Sequence, residues 1–353
     1  SSDPQLNAEA FNIKEKKGRI RMKKFLCLVL AISMVFVMVA CGNTPAAKTP
    51  GSSTSDQGSE PSKYKVGLVA KNQTDQFTAW QANELVNACK SKYSDQFEIE
   101  MIDGGGDNAK IIAGMETFIS KGVDAIFVQP NDTESLIPTI KSAYDNGIIV
   151  ITLGEKVEDG SSTSILSSEF GMGELLGTAA AESLPQKANV VIIEGQAGLS
   201  VVVDRTNGIK SGLSSRDDVN ILVVQNANWE RDKAMNYMED WLTLYDKIDG
   251  VFSHDDIMLL GAVNAIQNAG RLDEFSFLGG IDGLPEGCEA VKSGLTTCSV
   301  AQDAPSQAVA AFEMALKTLQ GGAQEDVTVD TELITKGNVD KWIDIHKASG
   351  NMK

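Results

Sequence analysis

The stretch that decides the fold reads Val66-Gly67-Leu68-Val69-Ala70-Lys71-Asn72-Gln73-Thr74-Asp75-Gln76-Phe77-Thr78-Ala79-Trp80. It opens with an apolar run long enough for one buried strand, breaks at a polar turn, and continues with apolar residues at helical spacing. In a parallel sheet flanked by helices, ligands bind at loops that leave the carboxyl ends of strands. Asp75 and Phe77 lie in such a loop. Asp75 could equally cap the helix, with Phe77 packed beneath it, so the choice depends on whether the pattern recurs.

Length and charge limit the classes of protein that the chain can form. With 353 residues it can build two lobes, each with its own core. Its formal net charge of −17 argues against nucleic acid as a partner, because phosphates are neutralised by basic patches. The two histidines, His254 and His346, are isolated, and no CxxC motif is present. The sequence therefore predicts no metal and no cofactor.

The amino-terminal segment is typical of an export signal. Met22-Lys23-Lys24 is followed by an apolar run over residues 25–40 that ends at Val39-Ala40-Cys41. This boundary resembles a bacterial lipobox, so we predict a signal peptide over residues 22–40 and lipidation of Cys41. An ordinary signal or a membrane-spanning anchor remains the alternative. Residues 41–63, rich in Thr, Pro, Ser and Gly, predict a flexible tether, and residues 1–21 are interpreted as an over-long translation start.

The remaining cysteines give no disulfide framework. After loss of Cys27 with the signal and lipidation of Cys41, Cys89, Cys288 and Cys298 are left, which is an odd number. Cys288 and Cys298 could pair with each other, or both could be buried free thiols.

From Tyr64 onward, strand and helix patterns alternate. The predicted strands of the first half cover residues 66–70, 98–102, 125–128 and 148–153, with a helix over residues 109–120. The rhythm restarts near Ser168, and strands are predicted over residues 190–193, 221–224, 250–253 and 275–281, after which residues 300–302 are predicted to cross back to the first lobe. This alternation predicts an α/β protein with two doubly wound parallel-sheet lobes. The first lobe is assigned residues 64–168 with 303–334, and the second residues 169–302 with 335–353.

Polar and aromatic side chains recur at the strand ends of both predicted lobes. They are Asp75, Phe77, Gln129, Arg205, Trp229, His254, Asp282 and Gln302. A polyhydroxylated ligand needs this mixture, because carboxylates, amides and guanidinium groups pair with hydroxyls while aromatic rings cover the apolar C–H faces. The recurrence favours a ligand site over a set of unrelated caps and core residues.

At this point the chain resembles a known family. From about residue 65 to residue 333 it is similar to the type I periplasmic sugar-binding proteins, the ribose/galactose-binding family of ABC importers. The motifs that carry the resemblance occur in family order and read Thr74-Asp75-Gln76-Phe77, Asp204-Arg205-Thr206, Asn228-Trp229-Glu230, His254-Asp255-Asp256-Ile257-Met258, Gly280-Ile281-Asp282-Gly283 and Val300-Ala301-Gln302.

The resemblance implies two lobes joined by a multi-strand hinge and a role for each site residue. Asp75 would accept from ring hydroxyls between Phe77 and Trp229, which would stack on opposite faces. Gln129 would bond a hydroxyl from the first lobe. Arg205 and Asp282 would hold hydroxyls from the second lobe, and Gln302 would contact the ligand beside the hinge.

The sequence also departs from the family pattern. His254 stands where the family usually has Asn, and Val201 where galactose binders have a carboxylate. Gly154-Glu155 replaces the Asp-Arg of ribose binders, and Leu184-Pro185-Gln186-Lys187 replaces the calcium loop of galactose binders. Lys71 lies near the cleft and could meet an acidic ligand. We therefore expect a neutral hexose or pentose, with an acidic or phosphorylated sugar left open.

The resulting hypothesis is a non-enzymatic, monomeric, extracytoplasmic lipoprotein that delivers a monosaccharide to the permease of an ABC transporter, with the lipid as its only membrane contact. A sugar or autoinducer sensor that presents its ligand to a membrane receptor is the alternative. A glycosidase, with Asp75 and Asp282 facing each other across the cleft, is less favoured. A repressor is disfavoured because the signal occupies the place of its DNA-binding segment.

Overall fold

The computed structural model describes residues 62–158 and 160–352. The predicted over-long start, the signal peptide, Cys41 and nearly all of the predicted tether lie outside these residues. Over the described ranges, no helix combines the length and the apolar character needed to cross a bilayer.

The first lobe is built on a six-stranded parallel sheet. Its strands are β1 (Tyr64–Ala70), β2 (Phe97–Asp103), β3 (Ala125–Val128), β4 (Ile149–Leu153), β5 (Ser162–Ser167) and β11 (Val327–Val329). They pair in the order β11-β5-β4-β3-β1-β2. The direction of winding therefore reverses between β1 and β3, and the loops that leave these two strands open a crevice.

The second lobe repeats this design. Its strands are β6 (Asn189–Glu194), β7 (Asn220–Asn226), β8 (Gly250–Ser253), β9 (Phe277–Asp282), β10 (Cys298–Ala301) and β12 (Glu332–Ile334). They pair in the order β12-β10-β9-β8-β6-β7, parallel except for β12, which is antiparallel to β10. The predicted α/β fold class is confirmed, and a second reversal lies between β6 and β8.

Ten helices of the described chain flank the sheets. They are α1 (Gln76–Ser91), α2 (Asn108–Lys121), α3 (Thr133–Asp145), α4 (Glu169–Ser183), α5 (Ser200–Gly212), α6 (Arg231–Leu244), α7 (Asp256–Asn268), α8 (Pro285–Ser293), α9 (Ala304–Leu319) and α10 (Val339–Ala348). Several begin at an Asp or Ser whose side chain accepts from a backbone N–H of the first turn, as Asp75, Ser168 and Asp255 do. These caps set the point at which each strand-end loop turns into a helix.

The chain passes between the lobes three times, after β5, after β10 and between β11 and β12. The third crossing lies at residues 330–331, whereas the sequence-based division kept residues up to 334 in the first lobe. Glu332–Ile334 pairs instead with β10 of the second sheet, and Ile334 is fully buried there. Strand β5 was not predicted, because Ser and Thr make up most of its sequence.

Both sheets are covered on their two faces, so alternate side chains of a strand enter different cores. Leu68 of β1 packs under α1 and α9, and Val69 packs under α2 and α3. A further apolar cluster lies at the crossings and holds Trp80 of the first lobe. The ring of Trp80 is 3% exposed and its centroid lies 4.5 Å from that of His346 in α10.

Helices α4 and α5 approach each other backbone to backbone. A Cβ on Gly173 would lie 2.1 Å from the carbonyl oxygen of Arg205, and one on Gly208 would lie 2.1 Å from that of Phe170. Only glycine permits this approach. The contact brings Arg205 of α5 beside Glu169, the first residue of α4.

Candidate functional site

A cavity of about 110 Å³ lies between the two lobes, at the reversal points of both sheets. The first lobe contributes Lys71, Asp75, Phe77, Thr78, Gln81, Gln129, Pro130, Leu153, Gly154 and Glu155 to its lining. The second lobe contributes Leu199, Val201, Arg205, Trp229, Asp255 and Asp282, and the crossings contribute Glu169 and Gln302. Every residue predicted to bind ligand lines this cavity except His254.

The position of Asp75 is compatible with both of the roles considered for it. It caps α1, since its Oδ1 accepts the backbone N–H of Thr78 at 2.8 Å, and it also lines the cavity. The cap uses one oxygen, so the other is available to a ligand. Phe77, in the first turn of α1, supplies an apolar surface beside it.

Gln129 holds the wall of the cavity in place. Its Oε1 accepts the backbone N–H of Lys71 at 2.9 Å. Its Nε2 donates to the carbonyl oxygen of Thr78 at 2.9 Å and to Oε1 of Gln81 at 2.6 Å. Both amide protons are therefore used within the protein, so the predicted hydrogen bond of Gln129 to a ligand hydroxyl would have to be accepted by the second lone pair of Oε1.

The amide network continues from Gln129 toward the hinge. Nε2 of Gln81 donates to Gln307 of α9, and Nε2 of Gln307 donates to Oγ of Ser167 at 2.9 Å. Ser167 ends β5, directly before the first crossing. A chain of buried amides that hydrogen-bond to one another rigidifies the region that they connect.

Arg205 is the buried cation of the second lobe. Its Nε donates to Oε2 of Glu169 at 2.6 Å, and its Nη1 donates to the carbonyl oxygen of His254. Its guanidinium carbon lies 5.7 Å from the ring centroid of Trp229, within the range of a cation–π contact. Nη1 also lies 4.0 Å from Oδ1 of Asp282, and no described residue accepts a hydrogen bond from Nη2, which leaves its protons for a ligand.

Trp229 and Asp282 are held in backbone conformations that are unusual for non-glycine residues. Trp229 has φ 65°, and Asp282 has φ 113°. The ring of Trp229 covers Gly195, where a Cβ would lie 2.0 Å from ring atoms. Oδ1 of Asp282 accepts from Nε2 of Gln302 at 2.6 Å. Strain of this kind persists only where the surroundings enforce it, and it concentrates at ligand sites.

Contrary to the prediction, His254 does not line the cavity. Its side chain is fully buried beneath the cavity, where Nδ1 accepts from Gly195 N–H at 3.4 Å and Nε2 lies 3.1 Å from Oγ1 of Thr206. Burial, with the Arg205 charge, holds the pKa of His254 well below its ordinary value, which favours the neutral ring. The N–H of His254 continues the strand ladder to Ile193, which turns its side chain away from the cleft.

Asp255, the next residue, takes the place that was assigned to His254. It is 6% exposed and lines the cavity, and its Oδ1 accepts the N–H of Met258 at 2.6 Å. Burial raises its pKa to about 7. Its signature in the sequence was that of a helix cap at a strand end, the same signature that identified Asp75.

Two glutamates were also missed. Glu155 follows β4, and its Oε2 lies 3.5 Å from Oγ of Ser200 in the opposite lobe. Burial raises the pKa of Glu155, and the charge of Glu169 raises it further, while Lys71 and Arg205 lower it. Burial likewise raises the pKa of Glu169, against the lowering effect of Arg205.

Among residues 62–352, position 159 excepted, no group of three or more His, Cys, Asp or Glu side chains is arranged to hold a metal ion. That the protein binds no metal stays a prediction.

Cys89, Cys288 and Cys298 are buried free thiols, so Cys288 and Cys298 are not paired with each other.

Comparisons with known proteins agree with this geometry. A family model described as periplasmic binding protein domain matches residues 66–323. The xylitol-binding protein of Mycolicibacterium smegmatis is 32% identical over 260 residues, which are 71% of this chain and 73% of that protein. The ribose import binding protein of Salmonella typhimurium is 29% identical over 242 residues, 68% of this chain and 81% of that protein.

Similar solved structures are also solute-binding proteins of ABC transporters. An ABC transporter solute-binding protein of Bacillus halodurans with bound myo-inositol has a TM-score of 0.72 and 28% identity, over 82% of this chain and 99% of that one. A counterpart from Actinobacillus succinogenes with bound D-allose has a TM-score of 0.74 and 27% identity, over 79% of this chain and 100% of that one.

The fold and the cleft define a two-lobed periplasmic binding protein. The chain belongs to the type I periplasmic sugar-binding family, as its motifs indicated.

Proposed function

We propose that this protein is an extracytoplasmic solute-binding protein that encloses a monosaccharide or a related polyol between its lobes and delivers it to the permease of an ABC importer. We further propose that a lipid on Cys41 tethers it to the outer face of the cytoplasmic membrane. It performs no chemistry on its ligand.

The observation that carries the proposal is the division of one site between two lobes. Asp75 and Phe77 belong to the first lobe, and Arg205, Trp229 and Asp282 belong to the second. Each lobe alone holds half of the contacts, so only a closed arrangement surrounds a ligand. Binding then shifts the equilibrium between open and closed forms, because the closed form alone makes both sets of contacts.

The chemistry of the lining supports a compact polyhydroxylated ligand. Carboxylate oxygens accept from hydroxyls, the guanidinium donates to them, and Phe77 and Trp229 provide the apolar faces on which a ring can lie. The ligands named for the relatives, xylitol, ribose, myo-inositol and D-allose, are all of this kind.

Titration calorimetry with a panel of pentoses, hexoses and cyclitols tests the proposal. We expect at least one member to bind, and small-angle scattering to show a smaller radius of gyration when it does. Arg205→Ala is expected to weaken that binding ten- to a hundredfold, since a hydrogen bond to a charged group contributes about 1.5–3 kcal/mol. Binding of an amino acid but of no polyol, or a radius unchanged on binding, would contradict it.

A further inference from the structure

The lining of the cavity carries an excess of acidic groups. Five carboxyl side chains and two cationic side chains face it, so carboxyls exceed cations by three. The carboxyls are Asp75, Glu155, Glu169, Asp255 and Asp282, and the cations are Lys71 and Arg205. Glu169 and Arg205 pair with each other at 2.6 Å and cancel. Arg205 also lies 4.0 Å from Oδ1 of Asp282, and the other cation of the lining is Lys71, so two cations serve five carboxyls.

Three of these carboxyls have an oxygen that the protein leaves available. The contacts of Asp75, Asp255 and Asp282 described above all use Oδ1. Over the described residues, Oδ2 of each accepts no hydrogen bond. Asp255 is the most informative, because it is more than nine-tenths buried and its one hydrogen bond is the helix cap to Met258.

Asp75 and Asp255 come from opposite lobes and are close enough for their charges to interact. Burial raises the pKa of Asp255, and the negative charge of Asp75 raises it further. The charges of Arg205 and Arg231 lower the pKa of Asp255. Its other acidic neighbours are Asp256 and Asp282. A neutral ligand supplies no countercharge, so these buried carboxyls stay unpaired or take up protons. An ammonium group supplies three donors and the missing charge.

We propose that the ligand is a polyol that carries a protonated amine, an aminosugar or an aminocyclitol, with its ammonium group bound between Asp75 of the first lobe and Asp255 of the second. This inference rests on the proposed function and names the ligand class of the same site. It also argues against the acidic or phosphorylated sugar that Lys71 had left open, because such a ligand would add to the excess of negative charge.

The test compares matched ligands by calorimetry at pH 6.5. The pairs are glucosamine with glucose, galactosamine with galactose, and an inosamine with the corresponding inositol, and the N-acetylated amines serve as neutral analogues. We expect an amine to bind at least tenfold more tightly than both its hydroxyl and its acetylated counterpart. Repeating the titration in buffers of different ionisation enthalpy should show proton release, since the ammonium favours the ionised form of Asp255.

Asp255→Asn provides the matched variant, because Asn caps a helix as well as Asp and the fold should be kept. We expect it to lower the preference for the amine over its neutral counterparts to less than threefold. If neutral polyols bind as tightly as the amines, or if Asp255→Asn keeps the preference, the inference is wrong although the proposed function stands. If no polyol of either kind binds, both fail.

Discussion

Nε of Arg205 lies 2.6 Å from Oε2 of Glu169, and both side chains are almost completely withdrawn from solvent. Arg205 is in α5, and Glu169 is the first residue of α4, immediately after the first crossing between the lobes. The same guanidinium faces the cavity and Trp229. The pair therefore connects the ligand-facing cation of the second lobe to the hinge.

Glu169→Gln should reduce stability substantially. It leaves an acceptor near Arg205 but removes the charge that compensates a buried cation, and breaking such a pair costs about 3 kcal/mol or more. Denaturant unfolding of the ligand-free protein measures the loss. Glu286→Gln is the control, because it breaks a shorter contact to Arg231 at the surface, where an ion pair contributes about 1 kcal/mol or less. Equal losses for the two variants would contradict the importance given to the Arg205–Glu169 pair.

Gly195→Ala should weaken ligand binding with little effect on the fold. The added Cβ would overlap the Trp229 ring, so the ring has to leave its position over the glycine. We expect an affinity loss of roughly tenfold, or about 1.4 kcal/mol, measured by calorimetry with whichever polyol binds. Gly337→Ala, at an exposed glycine with ordinary contacts, is the control. An unchanged affinity would mean that Trp229 does not contact the ligand.

Asp255→Asn should stabilise the ligand-free protein in a pH-dependent way. Burial raises the pKa of Asp255 to about 7, whereas an unfolded Asp titrates near 3.9, so the native protein takes up this proton first. The contribution of Asp255 to the free energy of unfolding therefore grows as the pH falls from about 7 to about 4, and it is absent above pH 7. The variant should gain on the order of 2 kcal/mol at pH 8 and almost nothing near pH 4.

Urea unfolding across this pH range measures the effect. Asp107→Asn, which changes the exposed cap of α2, controls for the change of cap residue. The same difference between Asp255→Asn and the wild type at both pH values would show that Asp255 does not titrate in this window.

Cys41→Ser should release the protein from membranes or leave its signal uncleaved. The prediction follows from the motif Val39-Ala40-Cys41 at the end of the apolar run. Fractionation of cells labelled with palmitate compares the variant with Cys89→Ser, which changes a buried thiol of the first lobe. A Cys41→Ser protein that still incorporates label and stays with the membrane would disprove lipidation at this residue.

The residues that the sequence identified share a visible pattern. Asp75 and Trp229 lie in loops after strands, Asp282 ends β9, and Arg205 lies in the helix that follows β6, and the parallel sheets bring these positions together at one edge. The position of these residues along the chain thus predicts that they lie close together in the fold. It does not predict which way a side chain points. His254 and Asp255 are adjacent, and only the strand ladder to Ile193 decides which of them faces the cleft.

The sequence also did not predict which hydrogen bonds a polar side chain makes within the protein. Both amide protons of Gln129 are used by Thr78 and Gln81, and its oxygen accepts from Lys71, all 48 to 58 residues away along the chain, so only one lone pair is left for the ligand contact that was predicted. Glu155 was noted only as a departure from a family motif. Its place in the cleft depends on the approach of the second lobe, which no local pattern encodes.

Trp80 has a consequence for how the protein unfolds. Trp80 belongs to α1 of the first lobe, yet its side chain is buried among Leu284, Val291 and Trp342 of the second lobe. It also packs beside Ala301 and Ala304, where the chain crosses between the lobes. Neither lobe can melt without exposing an indole that belongs to the core of the other. The two lobes should therefore unfold in one cooperative transition with a single calorimetric peak, although each has the size of an independent domain.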